Sequence, residues 1–448
     1  VPVPFSDSAR RGVGLALASL HLAAVCWVSA HSVRLTAGPL HLDPLRDALD
    51  AVVVAVSFAA RGPGAAALML GAAGLVLDGV AGATLLGLAG MLAGGMTGAQ
   101  GGCRVGFLAG GLVLLVTGAG GSAVVSCLTG LVLLAAFADV PVLGLALLAT
   151  HVTPDPAVGW LLVAAGLAGC CPIGQGRWTL VSRRVVLPLF WLAALLGARR
   201  ADLAETALAA AEALLLSMVL LPVPGVAEGR AGILLRSVLP GAAGFLPLWL
   251  GLHAFFGLAA AETGWIVPAL ALGGVIGWIA VLELRACWRR LGEAGLDRVE
   301  DYVLPGLAAV APGLVFMIVA PGLAAMCGAA EAWSGSLFAP VPGGDGGRWL
   351  PWLAALLLAS VVLAAGPGGR MTRDPFEEPG ARPGAAVWAY GWRRRAVLFR
   401  RAGRRWGESL AKAADMKNGL GLALKAPLSP AFWLGLVAFG LAVLGAAA

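Results

Sequence analysis

The chain is written in apolar runs. From Val13 to Leu363, long stretches of Ala, Leu, Val and Gly alternate with short loops that carry Arg, Pro or Gly. Water does not tolerate such a pattern. A bilayer requires it, because a helix needs about 20 apolar residues to cross the hydrocarbon and must satisfy its own backbone. Hydrophobic residues make up 59% of the chain, charged ones 12%, and the mean hydropathy is +0.89. No stretch has the composition of a separate soluble domain. At about 20–25 residues per helix plus loop, the 448 residues hold about 13–15 spans. The expected fold is therefore all-α: a polytopic transmembrane helical bundle with a C-terminal amphipathic interfacial helix.

The candidate spans are 13–33, 46–60, 64–80, 81–98, 105–119, 121–136, 138–150, 157–172, 181–197, 202–221, 242–260, 265–286, 303–326, 349–365 and 429–447. They divide the chain into a bundle over 1–368, a basic linker and interfacial helix over 369–428, and a final span over 429–448. The first run passes into His31-Ser32-Val33-Arg34 without a small-residue cleavage site and reads as a retained span.

The net charge of +7 and pI near 9.4 sit at span ends and in one block, Arg370–Lys425. That is the positive-inside pattern rather than a nucleic-acid surface, and basic segments at a membrane favour anionic lipid. With the block placed in the cytoplasm, the loops carrying Arg61, Arg104, Arg177 and Arg183, Arg230 and Arg236, and Arg289 and Arg290 join it there, as does the N-terminus with Arg10 and Arg11. Arg34, Arg46 and the pair Arg199-Arg200 fall on the other side. Arginine greatly outnumbers lysine amid heavy Ala and Gly, as in GC-rich bacterial genomes, and the expected location is a bacterial inner membrane.

The segment 383–425 differs in kind. Trp388, Tyr390, Trp392, Phe399 and Trp406 are interleaved with Arg393, Arg394, Arg395, Arg400, Arg401, Arg404 and Arg405. Aromatic and basic residues together on a helix read as a segment lying in the interface plane, against lipid or a neighbouring subunit.

The seven cysteines form no C-x-x-C and read as small apolar fillers. No nucleotide loop, nucleophile elbow or metal-ligand cluster is present in the sequence, and no cofactor is expected in this chain. The search for chemistry reduces to ionisable groups within spans, which are costly in lipid and therefore functional candidates. Glu205 and Glu212 are two helical turns apart and share a face of the 202–221 helix. His253 lies mid-span and could titrate near neutral pH. Arg236 could point into the bundle. Asp139, before Pro141, reads as a helix cap or a break, and Asp78 as a residue near a span end. Glu283 and Arg285, near a span end, read as snorkelling side chains, while Asp139 and Glu283 also stand as proton-relay candidates beside Glu205, Glu212, His253 and Arg236.

The run Leu239-Pro240-Gly241-Ala242-Ala243-Gly244-Phe245-Leu246-Pro247-Leu248-Trp249-Leu250 resembles the proline–glycine–phenylalanine turn before a late helix in the antiporter-like subunits of respiratory complex I, membrane-bound hydrogenases and Mrp antiporters. The span after it ends in Glu283-Leu284-Arg285, and 301–322 resembles the next span of that family. His41-Leu42-Asp43-Pro44-Leu45 is similar to the turn before the family's second helix. The resemblance covers about a third of the chain. It implies a proton path of buried lysines with a glutamate partner, yet the only lysines are Lys412, Lys417 and Lys425, all in the C-terminal basic region. A degenerate member, with its relay rebuilt on Glu205, Glu212, His253 and Arg236 or lost altogether, is what the residues allow.

Three functions compete. The first is a membrane subunit of an ion-translocating redox complex, complex I-like or hydrogenase-like, with other membrane subunits as partners and proton translocation or scaffolding as its task. The second is an autonomous secondary transporter or lipid-linked glycan flippase. The third, an integral-membrane transferase, lacks a loop long enough for an active site.

Overall fold

Prolines and glycines cut the apolar runs into helices. The computed structural model describes residues 7–30, 35–38, 40–94, 101–117, 122–170, 180–224, 226, 228–293, 299–310, 312, 319–329, 341–342 and 348–349. These contain α1 (Asp7–Ala30), α2 (Pro44–Ala59), α3 (Pro63–Leu75), α4 (Gly79–Gly94), α5 (Gly101–Val116), α6 (Ala123–Ala136), α7 (Pro141–His151), α8 (Pro156–Cys170), α9 (Leu180–Arg200), α10 (Ala204–Val219), α11 (Arg230–Leu235), α12 (Phe245–Ala261), α13 (Ile266–Glu293), α14 (Val299–Val310) and α15 (Ala320–Cys327). Two small antiparallel hairpins join them, β1 (Leu35–Ala37) with β2 (Leu40–Leu42), and β3 (Val341–Pro342) with β4 (Arg348–Trp349). The protein is thus mostly helical. The expected interfacial helix and final span lie outside the described residues.

Local chemistry sets the helix starts. Asp43 caps α2, accepting hydrogen bonds from the backbone of Leu45 and Arg46 at 3.0 Å each, and Pro44 opens the first turn. Proline likewise opens α3 and α7. Gly38 turns the first hairpin with a left-handed φ of 59°.

The structure departs from the expected spans in three places. The stretch 303–326 is not one helix: α14 ends at Val310 and α15 starts at Ala320, with Pro321 in its first turn. The helix expected over 265–286 runs on to Glu293. Most helices are also shorter than a bilayer crossing. Among the described residues one helix, at Thr263–Ala280, is long and apolar enough to cross a membrane, while eight others are apolar over 10–17 residues. At 1.5 Å per residue such helices reach about 15–26 Å, against about 30 Å of hydrocarbon.

Successive helices run up and down. At one end, termed the hairpin end, His41 donates its backbone N–H to Val76 and Leu40 bridges Leu77. At the opposite end, termed the loop end, the N–H of Arg61 reaches the carbonyl of Pro224. The core lies where α9, α10 and α12 meet, around Trp191, Phe190 and Phe255, all fully buried or nearly so. Gly251 admits the Trp191 ring so closely that a Cβ at that position would overlap it. The Trp191 indole N–H in turn donates to Ser217 Oγ at 3.0 Å, tying α9 to α10.

Outward faces stay apolar. Leu20 and Trp27 on α1, Val80 and Met91 on α4, Phe107 and Val113 on α5, and Val267 and Leu270 on α13 are all half or more exposed.

Candidate functional site

Ionisable side chains gather in three places along the bundle. The first is the hairpin-end half of α2. Asp43, Asp47 and Asp50 succeed one another at steps of four and three, so one helix face carries all three. Asp47 and Asp50 are buried, at 1% and 0% exposure. The Asp50 carboxylate is hydrogen-bonded to His21 Nε2 of α1 at 2.5 Å. Asp47 Oδ1 and Asp50 Oδ1 have no hydrogen-bond partner among the described residues. At the mouth, His41 lies 3.7 Å from Asp43 and 3.4 Å from Asp78, and Arg46 donates to Asp78 at 2.8 Å. Below Asp50 the same helix continues as Val53, Val54 and Val56, all 0% exposed. The carboxylates thus lead inward from the hairpin end and stop at an aliphatic layer.

The second place is Glu212, on α10. It is 2% exposed, and its Oε2 has no hydrogen-bond partner among the described residues. It lies eight residues from the hairpin-end start of α10, about 12 Å along the axis, and Asp50 lies about 9 Å along α2. The two carboxylates therefore sit at similar depth on helices that pack together.

The third place is a clasp of charges at the loop end. Glu228 Oε1 lies 3.3 Å from Arg236 and 3.7 Å from Arg184 of α9, and its Oε2 lies 2.5 Å from Arg290 of α13. Arg184 also donates to Glu283 of α13 at 3.3 Å. Asp301 of α14 accepts the backbone N–H of Gly229 at 3.0 Å. Three guanidiniums and three carboxylates thus balance in a cluster, buried except at Arg290, that draws in α9, α11, α13 and α14. Burial pulls the Arg236 guanidinium pKa down, and Glu228 opposes that shift. Buried groups of this kind persist because each charge is paired.

Of the residues the sequence singled out, Glu212 and Arg236 are buried as expected. Arg236 is engaged by Glu228 rather than by Glu212. Glu205 is exposed in the first turn of α10 and does not share the burial of Glu212. His253 is buried against the Trp249 ring, with centroids 4.0 Å apart. Asp139 does not cap α7: Val140 holds that position, without a side-chain cap bond. Glu283 does not snorkel; it is 5% exposed and paired with Arg184. Trp388, Trp392, Arg393, Arg394, Arg395, Arg400, Arg401 and Trp406 lie outside the described residues.

Sequence reasoning passed over His21, Asp47, Asp50, Arg184, Glu228, Arg290 and Asp301. For Asp47 and Asp50 the signal was present, in a four-three spacing continuing from the Asp43 cap. For the clasp no local signal exists, since its members come from separate loops and helices. No protein-family model, no curated protein and no solved structure matches this chain.

Proposed function

We propose that the chain is a multi-pass subunit of a bacterial inner membrane, part of an ion-translocating redox complex, and that protons move through its buried carboxylates. The observation that carries this reading is Asp50, wholly buried mid-helix and held by a histidine. A deep carboxylate is unfavourable by about 2.5–3.5 kcal/mol on insertion scales. A scaffold has no need of one.

The outward rows of Leu, Val, Phe and Met on α1, α4, α5 and α13 support a lipid environment, because soluble monomers rarely expose contiguous apolar faces of this kind. Charge parity puts the loop end in the cytoplasm and the hairpin end outside. Arg46, an exception in the sequence, is paired with Asp78 and so adds little positive charge there. Protons would then pass from His41, Asp43 and Asp78 through Asp47 to the Asp50–His21 pair. Arginine holds its proton too tightly to relay it, which makes the clasp a closure rather than a path. Glu212, at the depth of Asp50, is the carboxylate on the next packed helix. Redox cofactors would belong to partner chains.

The test is proton pumping by inverted membrane vesicles that contain the assembled complex. Asp50→Asn and Glu212→Gln are each expected to lower pumping at least tenfold with subunit composition unchanged. Full pumping in both variants overturns the relay and makes the subunit a scaffold.

A further inference from the structure

A cavity of about 160 Å³ opens at the hairpin end, between the start of α8, the end of α9 and the turn that leads into α13. Its wall is a pair of stacked indoles, Trp160 and Trp265, with centroids 5.1 Å apart and planes within 8°. Trp265 is buried and Trp160 is 44% exposed, so the outer indole keeps an open face. Gly159 also lines the cavity, and a Cβ built there meets nothing within 4 Å.

The rim carries both signs of charge. Arg200 and Glu262 are exposed, and neither is ion-paired with any described residue. One oxygen of Asp155 accepts the Ala157 N–H at 2.7 Å, which leaves the other for a ligand. An unpaired guanidinium and two carboxylates around one aromatic wall suit a small zwitterion. Ammonium groups are drawn to indole faces and carboxylates, and guanidinium pairs with phosphate in a planar fork. Apolar side chains stand exposed beside the rim, Ile266 at 44%, Val267 at 75% and Leu270 at 67%.

We infer that this cavity holds the headgroup of an ethanolamine phospholipid. The ammonium sits against Trp160 between Glu262 and Asp155, the phosphate lies on Arg200, and the acyl chains run down the apolar face of α13. The inference rests on the membrane reading of the chain and is independent of proton movement.

The test is native mass spectrometry of the protein released from detergent. Phosphatidylethanolamine, phosphatidylglycerol, phosphatidylcholine and free phosphoethanolamine are each titrated. Phosphatidylethanolamine adducts are expected to survive at least fivefold better than the other two lipids. Gly159→Leu, which fills the cavity, and Glu262→Gln, which removes an ammonium partner, should each abolish that preference while the melting temperature without lipid stays unchanged. Equal retention of phosphatidylethanolamine and phosphatidylglycerol overturns the inference, and so does a preference that survives both variants. Free phosphoethanolamine binding as tightly as the diacyl lipid overturns the lipid assignment. The membrane reading is checked separately, by whether carbonate-washed membranes retain the chain.

Discussion

Glu228→Gln should destabilise the loop end more than any other single change of charge. The substitution keeps the size of the side chain and removes the one carboxylate that, among the described residues, touches three guanidiniums. Breaking a buried pair by removing one partner costs about 3–5 kcal/mol, because the other charge is left buried and uncompensated. The three arginines do not share that cost equally. The Arg290 side chain is 32% exposed and can turn to solvent, so its loss counts little. Arg184 keeps Glu283 at 3.3 Å. Arg236 is 3% exposed and has no other ion pair within 4 Å among the described residues, only the weaker pull of Asp301, so it bears most of the cost. Unfolding in detergent micelles, followed by tryptophan fluorescence against denaturant, should show a loss of about 3–5 kcal/mol for Glu228→Gln. Adding Arg236→Gln should restore at least half of it, and adding Arg290→Gln about 1 kcal/mol or less. A single-variant loss below about 1 kcal/mol, or a rescue by Arg290→Gln that exceeds the rescue by Arg236→Gln, would refute the assignment of Arg236 as the buried dependent charge.

Gly251→Ala should cost about 1–3 kcal/mol through overpacking against Trp191; a red-shifted tryptophan emission should accompany it as the bond to Ser217 breaks, and unchanged emission would count against this. A cysteine at Ala37 should label with a membrane-impermeant maleimide from outside the cell and one at Arg61 only after permeabilisation; the reverse pattern inverts the topology. Exchanging Arg393, Arg394 and Arg395 for Glu should lower the yield of assembled complex severalfold on a native gel, and normal assembly would remove the interfacial role of that segment.

Helix positions were legible where a cap or a proline stood at the edge of an apolar run, as at Asp43-Pro44, Pro63 and Pro156. They were illegible where composition alone spoke. The run 303–326 is apolar throughout, yet Pro321 starts a new helix inside it. The burial of Glu212 came from its place in the middle of an apolar helix, which also explains why Glu205, a first-turn residue, stays exposed. Asp47 and Asp50 were hidden because they fall in the first turns of the expected span 46–60, where carboxylates are usually wet; the tertiary packing of α2, with His21 of α1 on Asp50, makes them dry. The clasp was legible only as isolated charges, Arg236 and Glu283, and not as a cluster. Glu283 finds Arg184 across 99 positions of chain and Gly229 finds Asp301 across 72, and no periodicity encodes a meeting over that separation. Charge balance between loops is a property of the tertiary fold.

The order in which the clasp residues leave the ribosome gives them a timetable. Arg184 is made first and Arg290 last among the groups on Glu228, a delay of roughly 5–20 s at ordinary rates of chain synthesis. Until Glu283 is made, Arg184 has only Glu228 as a possible anion within the clasp, and before Glu228 it has none. On the proposed topology, an unpaired arginine at that point resists translocation and holds the start of α9 on the cytoplasmic side until α13 arrives with Glu283. The clasp then closes over an orientation already chosen. In that reading one of the six charges, Arg184, acts first as an anchor during insertion, and all six act afterwards as a fastening of the finished protein.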